Sequence, residues 1–414
     1  MKPSAPEPGC RIDLIDALRG SALAGILLLH AVEHWDFYYR IPGEPPAWLR
    51  ACNEAFATSA FFLFSGKSYA VFALMFGISF CLILDRWSQR GIPFAGRFVW
   101  RLTILAAFGY LHGLIFCGDI LLIIALLGLP LAFVYRLSQR TLLVVAGLLL
   151  LQLPSVIEVG RVFLEPGYQV PRPLHWDVYG RLFPVFANGS FLDVLKINLW
   201  TGQSSRLLWT IETGRYTQML GLFVCGLLLG RAHLLEDRTR SLRFAARALG
   251  WGLVGFVVLY PVRGHLAAWG LKDFQLRSVD ELVAAWLNLA QTGVWLGLFI
   301  LLYQATPLRR ALQLLAPYGR MSLTGYLMQA LIAVPLFYNW GFGFYRWAGP
   351  FYSVLIGAAI LAVQVVFAHW WLKRFAYGPF EWLWRSLTFL SFKTPLRKRV
   401  TTAAAAPRPE LAGV

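Results

Sequence analysis

Arg19-Gly-Ser-Ala-Leu-Ala-Gly-Ile-Leu-Leu-Leu-His30 is an unbroken apolar run with a guanidinium at one end and an imidazole at the other. At roughly 100° per residue, the eleven steps from Arg19 to His30 return to within about 20° of the starting direction, so both side chains share one helical face. The rise is about 16 Å, half of a hydrocarbon core. Asp16 lies near the same face, one turn earlier. Ionisable groups inside a bilayer-spanning segment are costly and turn toward a bundle interior or a water-filled cavity. The helix therefore predicts a polar shaft entering a membrane.

Composition carries the same message outward. Hydrophobic residues make up 58% of the 414, charged residues 14%, and the mean hydropathy is +0.58. Seventeen Trp and 31 Phe suit interfacial belts and lipid-facing packing. Only helices and closed barrels span bilayers, and the apolar runs here are continuous rather than alternating. The expected fold class is all-α, a polytopic transmembrane helical bundle of about ten helices. Its spans fall near 14–33, 68–85, 99–118, 119–136, 141–159, 215–232, 244–262, 281–304, 317–340 and 351–372.

The net charge of +17 does not indicate nucleic acid. Arg86, Arg90, Arg97 and Arg101 share one loop, Arg231, Arg238, Arg240, Arg243 and Arg247 another, and Lys393, Arg397, Lys398 and Arg399 the tail. Placing both termini in the cytoplasm collects these groups on one side, as the positive-inside rule requires. Basic residues beyond that need can meet anionic membrane lipids or a phosphorylated cytoplasmic ligand. Cys10, Cys52, Cys81, Cys117 and Cys225 are scattered singly and read as small hydrophobes, with no disulfide framework and no metal site. The first apolar run lacks a small-x-small cleavage site, so the first helix is expected to stay attached as an anchor.

Five segments follow. Residues 1–11 form a disordered cytoplasmic N-terminus, 12–159 a first five-helix half, and 160–214 an extracytoplasmic loop. Residues 215–392 form a second five-helix half and 393–414 a basic disordered cytoplasmic tail. Residues 34–66 are expected to be an outer aromatic and proline-rich segment whose end, Phe56–Phe64, is a short interfacial or re-entrant helix. Phe191–Trp200 suits an amphipathic helix lying on the outer surface. No internal repeat is evident, and the 5+5 count alone points only weakly to an inverted-repeat transporter.

Three groups of residues carry a resemblance. Arg11-Ile-Asp-Leu-Ile-Asp-Ala-Leu-Arg-Gly-Ser-Ala-Leu-Ala-Gly-Ile26 opens the first helix, and Gly109-Tyr-Leu-His-Gly-Leu-Ile-Phe-Cys-Gly-Asp-Ile-Leu121 is the second group. Gly319-Arg-Met-Ser-Leu-Thr-Gly-Tyr-Leu-Met is followed by Gln329, Gly341-Phe-Gly-Phe-Tyr345 and Tyr377-Gly-Pro-Phe-Glu-Trp-Leu-Trp-Arg385. In this order, over about residues 11–390, the set resembles the YeiB-like family of bacterial inner-membrane proteins. One level out, the Asp-x-x-Arg-Gly opening resembles the transmembrane acyltransferases, namely the acyltransferase-3 family and the lysosomal heparan-glucosaminide N-acetyltransferases. That resemblance implies a cytoplasmic acyl-CoA co-substrate with no bound cofactor, an acceptor on the far side of the membrane, and an Arg-x10-His pattern whose His is catalytic. Arg19 and His30 fit it.

Each candidate also has an ordinary explanation. Asp16 and Arg19 fit a helix-start ion pair; alternatively Arg19 faces the donor while Asp16 holds its guanidinium. His30 is either an interfacial His or a general base for an acceptor hydroxyl or amine, with Glu33 or His34 orienting its ring. His112 and Asp119, seven apart, share a face on a continuous helix; His112 is either hydrogen-bonded to a neighbouring helix or converges with His30 and Asp119 as the catalytic set. Arg320, Ser322, Thr324, Tyr326 and Gln329 are interhelical glue or the lining of a donor channel, with Arg320 and Gln329 the binding candidates. Lys67, expected just outside the second span, is a snorkelling lysine or a contact to an anionic acceptor. No Walker A loop, H-E-x-x-H or G-x-S-x-G occurs. Acyl transfer to an exported sugar, lipid or peptide is the leading expectation, with a small-molecule transporter or exporter as the alternative. Whether two copies pair as a homodimer stays open.

Overall fold

The computed structural model describes residues 12–398 apart from Arg40 and Gln169. The expected N-terminal segment 1–11, Cys10 and the tail beyond Lys398 lie outside the described residues. In chain order the helices are α1 (Asp13–Glu33), α2 (Ala47–Phe64), α3 (Ser68–Ser88), α4 (Ala95–Gly113), α5 (Leu121–Gly128), α6 (Leu131–Val134), α7 (Gln139–Leu150) and α8 (Leu153–Leu164). Then come α9 (Leu174–Asn188), α10 (Phe191–Ile197), α11 (Gln203–Glu212), α12 (Arg215–Arg231), α13 (Arg238–His265) and α14 (Asp273–Ala305). The last are α15 (Arg309–Gln313), α16 (Ala316–Arg320), α17 (Ser322–Phe337), α18 (Gly349–Arg374) and α19 (Pro379–Phe389). Among the described residues there is no strand, only an isolated bridge between Phe375 and Arg397. The chain is an all-α, multi-pass membrane protein.

Local chemistry sets the helix limits. Asp13 and Asp16 occupy the first turn of α1, where carboxylates complement the helix dipole. Ser138 caps α7 through Thr141 N, Asp237 caps α13 through Arg240 N, and Ser190 with Asp193 closes a capping box on α10. Gly66, at φ +78°, breaks the chain between α2 and α3.

Five helical stretches are long and apolar enough to cross a membrane, or six if the bent pair α7–α8 counts as one. Among the described residues, the other expected spans are shorter or divided helices. The 119–136 span is the short pair α5–α6, and the 317–340 span divides into α16 and α17 at Met321. The 141–159 span bends by 44° between α7 and α8, where Gln152 is left-handed. Residues 34–66 end in a helix that is longer than the expected Phe56–Phe64: α2 begins at Ala47, directly after Pro45 and Pro46, and runs 18 residues to Phe64. With α3, across the break at Gly66, it makes a 42-residue stretch. Phe191–Trp200 is not one surface helix, since α10 gives way to a π-helical turn at Asn198, whose side chain donates to Leu114 O (3.0 Å). The tail is ordered further than expected: Ala376 N donates to Leu396 O and Lys398 N to Arg374 O.

Helix α1 is the hub, packing against α2, α3, α16, α17 and α18. Its approach to α16 is backbone to backbone. A Cβ added at Gly20 would lie 2.1 Å from Leu315 O, and one at Gly319 only 1.9 Å from Asp16 O. Gly77 and Gly226 face each other in the same way where α3 crosses α12. Small residues at such crossings let helices gain dispersion contacts that lipid cannot supply. Gly319→Ala is expected to destabilise the protein by about 1–3 kcal/mol, read as a lower thermal midpoint in detergent. Gly147→Ala, in open space on α7, is expected to leave the midpoint unchanged.

Candidate functional site

A cavity with about 970 Å³ of empty space, its open mouth included, occupies the His30 end of the bundle. Helix α1 supplies Ile26, Leu29, His30 and Glu33; the α2–α3 break supplies Ser65, Gly66 and Ser68. The turn after α4 gives Gly118, Asp119 and Ile120. The segment expected as an outer loop closes the far wall, with Trp176, Tyr179 and Phe183 on α9 and Arg206 and Trp209 on α11. Arg215, at the start of α12, completes the lining.

The polar core of this region is a buried carboxylate. Asp119 accepts from two sides: His112 Nδ1 stands 2.9 Å from Oδ1, and Arg206 Nη1 lies 3.3 Å from Oδ2. Arg206 also donates to the Asp119 carbonyl (3.1 Å) and to Gln203, whose amide donates to Tyr110 O. Asp119 further accepts from Leu122 N (3.2 Å), which caps α5. Such a charge is tolerable in an apolar bundle only because both carboxylate oxygens are engaged. His112 and Asp119 do not meet on a continuous helix: α4 ends at Gly113, and a tight turn folds Asp119 back under His112.

His30 lines the cavity and His112 does not. Their rings flank the same two aromatics, with centroids 5.1 and 5.8 Å from Phe116 and 6.4 and 5.5 Å from Tyr326. Tyr326 accepts from Ile120 N (2.8 Å), tying α17 to the Asp119 turn. His30 Nδ1 and His112 Nε2 are buried with no hydrogen-bond partner among the described residues. The ring of His34 stands edge-on to His30 at 5.2 Å, and its Nδ1 is 3.5 Å from Glu33. His112 and Asp119 thus meet directly, and His30 shares the Phe116 and Tyr326 rings with His112.

The other candidates are elsewhere. Arg19 binds Asp16 (2.9 Å) and Ser79 (2.7 Å) at the opposite end of α1, where Gly319 and Arg320 cross. Neither Asp16, Arg19 nor Arg320 lines the cavity. Ala22, Leu23 and Leu27 are completely buried between the two ends, so the expected continuous shaft is filled with packed side chains. Gln329, one turn on from Tyr326, is completely buried, lies outside the cavity wall, and neither amide atom has a partner among the described residues. Lys67 is not at an outer surface. It is buried in the α2–α3 break, donating to Phe61 O (3.3 Å), beside a Ser68 that packs on Gly25 midway along α1. Among the described residues no cluster of His, Cys, Asp or Glu could hold a metal ion.

Sequence reading missed Arg206, the residue that completes the site. Its signal is an arginine on a helix of the segment assigned to the outer side, where positive charge is not needed for topology. Arg215 gives the same signal.

These features describe a multi-pass helical membrane protein with a polar, half-enclosed cavity at one end. Residues 229–391 match the family described as protein of unknown function (DUF418). The chain is 29% identical to the uncharacterized protein YxaH of Bacillus subtilis, over 94% of this chain and 96% of that one. It is 30% identical to the uncharacterized protein YeiB of Escherichia coli, over 90% of this chain and 95% of the other. The chain belongs to the YeiB-like family.

Removing Arg206 should leave Asp119 charged and short of partners. Arg206→Ala is expected to cost about 3–5 kcal/mol, and the Arg206→Ala/Asp119→Asn double variant less than the sum of the singles, measured by thermal or denaturant unfolding in detergent. A second prediction concerns Asp36, just past the end of α1, where burial pushes the carboxyl up from 3.8 to about 7. The folded state holds this proton more tightly than the unfolded chain. Its contribution is full below pH ~4 and is lost as pH rises toward 7. Asp36→Asn is expected to flatten the stability profile across that window.

Proposed function

We propose that the protein is an inner-membrane acyltransferase that moves an acyl group from cytoplasmic acyl-CoA to an extracytoplasmic sugar, lipid or peptide held in the cavity. One observation carries this reading: an imidazole on the cavity wall, His30, backed by the buried His112–Asp119–Arg206 chain. His30 takes the proton of the acceptor hydroxyl or amine as that group attacks the thioester carbonyl. The carbon–sulfur bond breaks and the departing thiolate takes up a proton. Asp119, also on the wall, offsets the imidazolium charge, and His112, fixed by Asp119, positions the surrounding rings. Arg19, with Asp16 as its partner, and Arg320 meet the donor at the cytoplasmic end. Because Leu23 and Leu27 fill the space between, the donor's arm has to part α1 from its neighbours before reaching His30.

A second reading has its own support. The α2–α3 stretch is broken at Ser65–Lys67, level with the middle of α1, and the break lines a cavity closed toward the Arg19 end. Broken helices lining a one-sided cavity also suit an alternating-access transporter of a small molecule.

Purified protein in vesicles with labelled acetyl-CoA and candidate acceptors distinguishes the two. Acyl transfer is expected, falling at least ~100-fold in His30→Ala and clearly in His112→Ala. Activity unchanged in both variants would remove this mechanism. Substrate flux with no acyl-CoA consumed would establish the transporter.

A further inference from the structure

Helix α19 lies along the first half of α4, at the bundle end that holds Arg19. Two indoles pin it there: Trp384 Nε1 donates to Arg101 O (2.9 Å) and Trp100 Nε1 to Leu387 O (3.1 Å). Three guanidiniums gather on this seam. Arg101 lies over the Trp384 ring at 3.5 Å, while Arg97 and Arg385 both stand over Phe389, at 5.2 and 5.5 Å. All three are half-buried.

None of the three forms an ion pair with a carboxylate among the described residues. Arg385 Nε is buried and has no hydrogen-bond partner there. The acid best spaced to neutralise Arg385 is Glu381, one helical turn earlier. Its carboxylate is committed elsewhere, accepting from Leu323 N (2.7 Å), Thr324 N (3.0 Å) and Thr324 Oγ1 (2.5 Å) at the start of α17.

Topology alone accounts for arginines on a surface. It does not account for three brought to the adjoining rings of Trp384 and Phe389 while the neighbouring acid turns away. Cation–π contact holds each guanidinium without neutralising it, so its N–H donors remain uncommitted to a carboxylate, and such donors grip a tetrahedral oxyanion. The exposed Leu390 and Phe392 beside it give the seam an apolar rim suited to an interfacial depth.

We propose that Arg97, Arg101 and Arg385 form a binding site for a phosphate group, carried by an anionic phospholipid headgroup or by a soluble phosphorylated ligand. The site is separate from the cavity and stands whether or not acyl transfer occurs.

The test uses the full chain in detergent, reading the thermal midpoint against four additions. Phosphatidylglycerol is compared with phosphatidylcholine at equal mole fraction, and coenzyme A with pantetheine, which lacks phosphate. At a hundredfold excess over Kd, a rise of about 5 °C is expected from phosphatidylglycerol, coenzyme A or both, and none from the two controls. A response to phosphatidylglycerol alone identifies a lipid site, and a response to coenzyme A alone a soluble phosphate. The rise is expected to fall by more than half in Arg97→Gln/Arg385→Gln and partly in Arg101→Lys, which keeps the charge but loses the planar stack. Arg309→Gln, away from the seam, should respond as wild type. Should the double variant fail to fold, Arg101→Lys carries the comparison. No response to either phosphate-bearing addition, or equal responses in wild type and the seam variants, overturns the proposal.

Discussion

A single buried carboxylate organises this membrane protein. Asp119 has no measurable side-chain exposure, yet it carries a charge into a bundle of Leu, Phe and Ile. That is sustainable only if every partner arrives from a fixed direction, and the partners come from three places. His112 reaches it from α4, Arg206 from α11, and Leu122 N from the start of α5, while Tyr326 on α17 holds the adjoining turn. A segment that a hydropathy profile leaves outside the membrane is tied to the spanning helices by the Arg206–Asp119 ion pair together with the Asn198–Leu114 and Gln203–Tyr110 hydrogen bonds. Its helices α9 and α11 form one wall of the cavity at the His30 end of α1.

The second constraint is steric. Gly20 and Gly319 bring α1 and α16 within backbone contact, and Gly77 and Gly226 do the same for α3 and α12. These close crossings fix α1 against α16 and α3 against α12. They also fill the middle of α1 with packed side chains, so that the Arg19–Asp16–Ser79 group and the His30 cavity form two polar layers with an apolar septum between them. In the proposed reaction, a donor thioester and an acceptor arriving from opposite sides would meet only by a movement of helices. The break at Ser65–Lys67 is the obvious compliant point, since Gly66 already holds a left-handed backbone there and its neighbours line the cavity.

How far the sequence could be read depends on which physical signal each element leaves. A charged residue inside an apolar run is conspicuous, so Arg19, His30 and His112 were legible. Their surroundings were not. Asp119 seemed to share a helical face with His112, but the helix stops at Gly113 and a turn makes the contact. The same result came from the wrong geometry, because seven residues of turn also returns the chain to its start. Lys67 was misplaced because two prolines at 45 and 46 look like loop when they in fact precede α2. Arg206 was passed over because it sits on an amphipathic helix of ordinary appearance, and only tertiary structure shows which side of that helix is buried.

The arrangement of partners at Asp119 bears on mechanism beyond stability. Arg206 and His112 approach different oxygens of one carboxylate, Arg206 at Oδ2 and His112 at Oδ1. The carboxylate engages Nδ1 of His112, while Nε2 of the same ring is buried without a partner among the described residues. A purely structural ion pair has no need of an imidazole whose second nitrogen is left unsatisfied in an apolar interior, where each orphaned polar atom costs free energy. That cost is borne at two neighbouring rings, His30 on the wall of a cavity of about 970 Å³ and His112 behind it. The proposed proton transfer at His30 would give the two rings a role that packing alone does not supply.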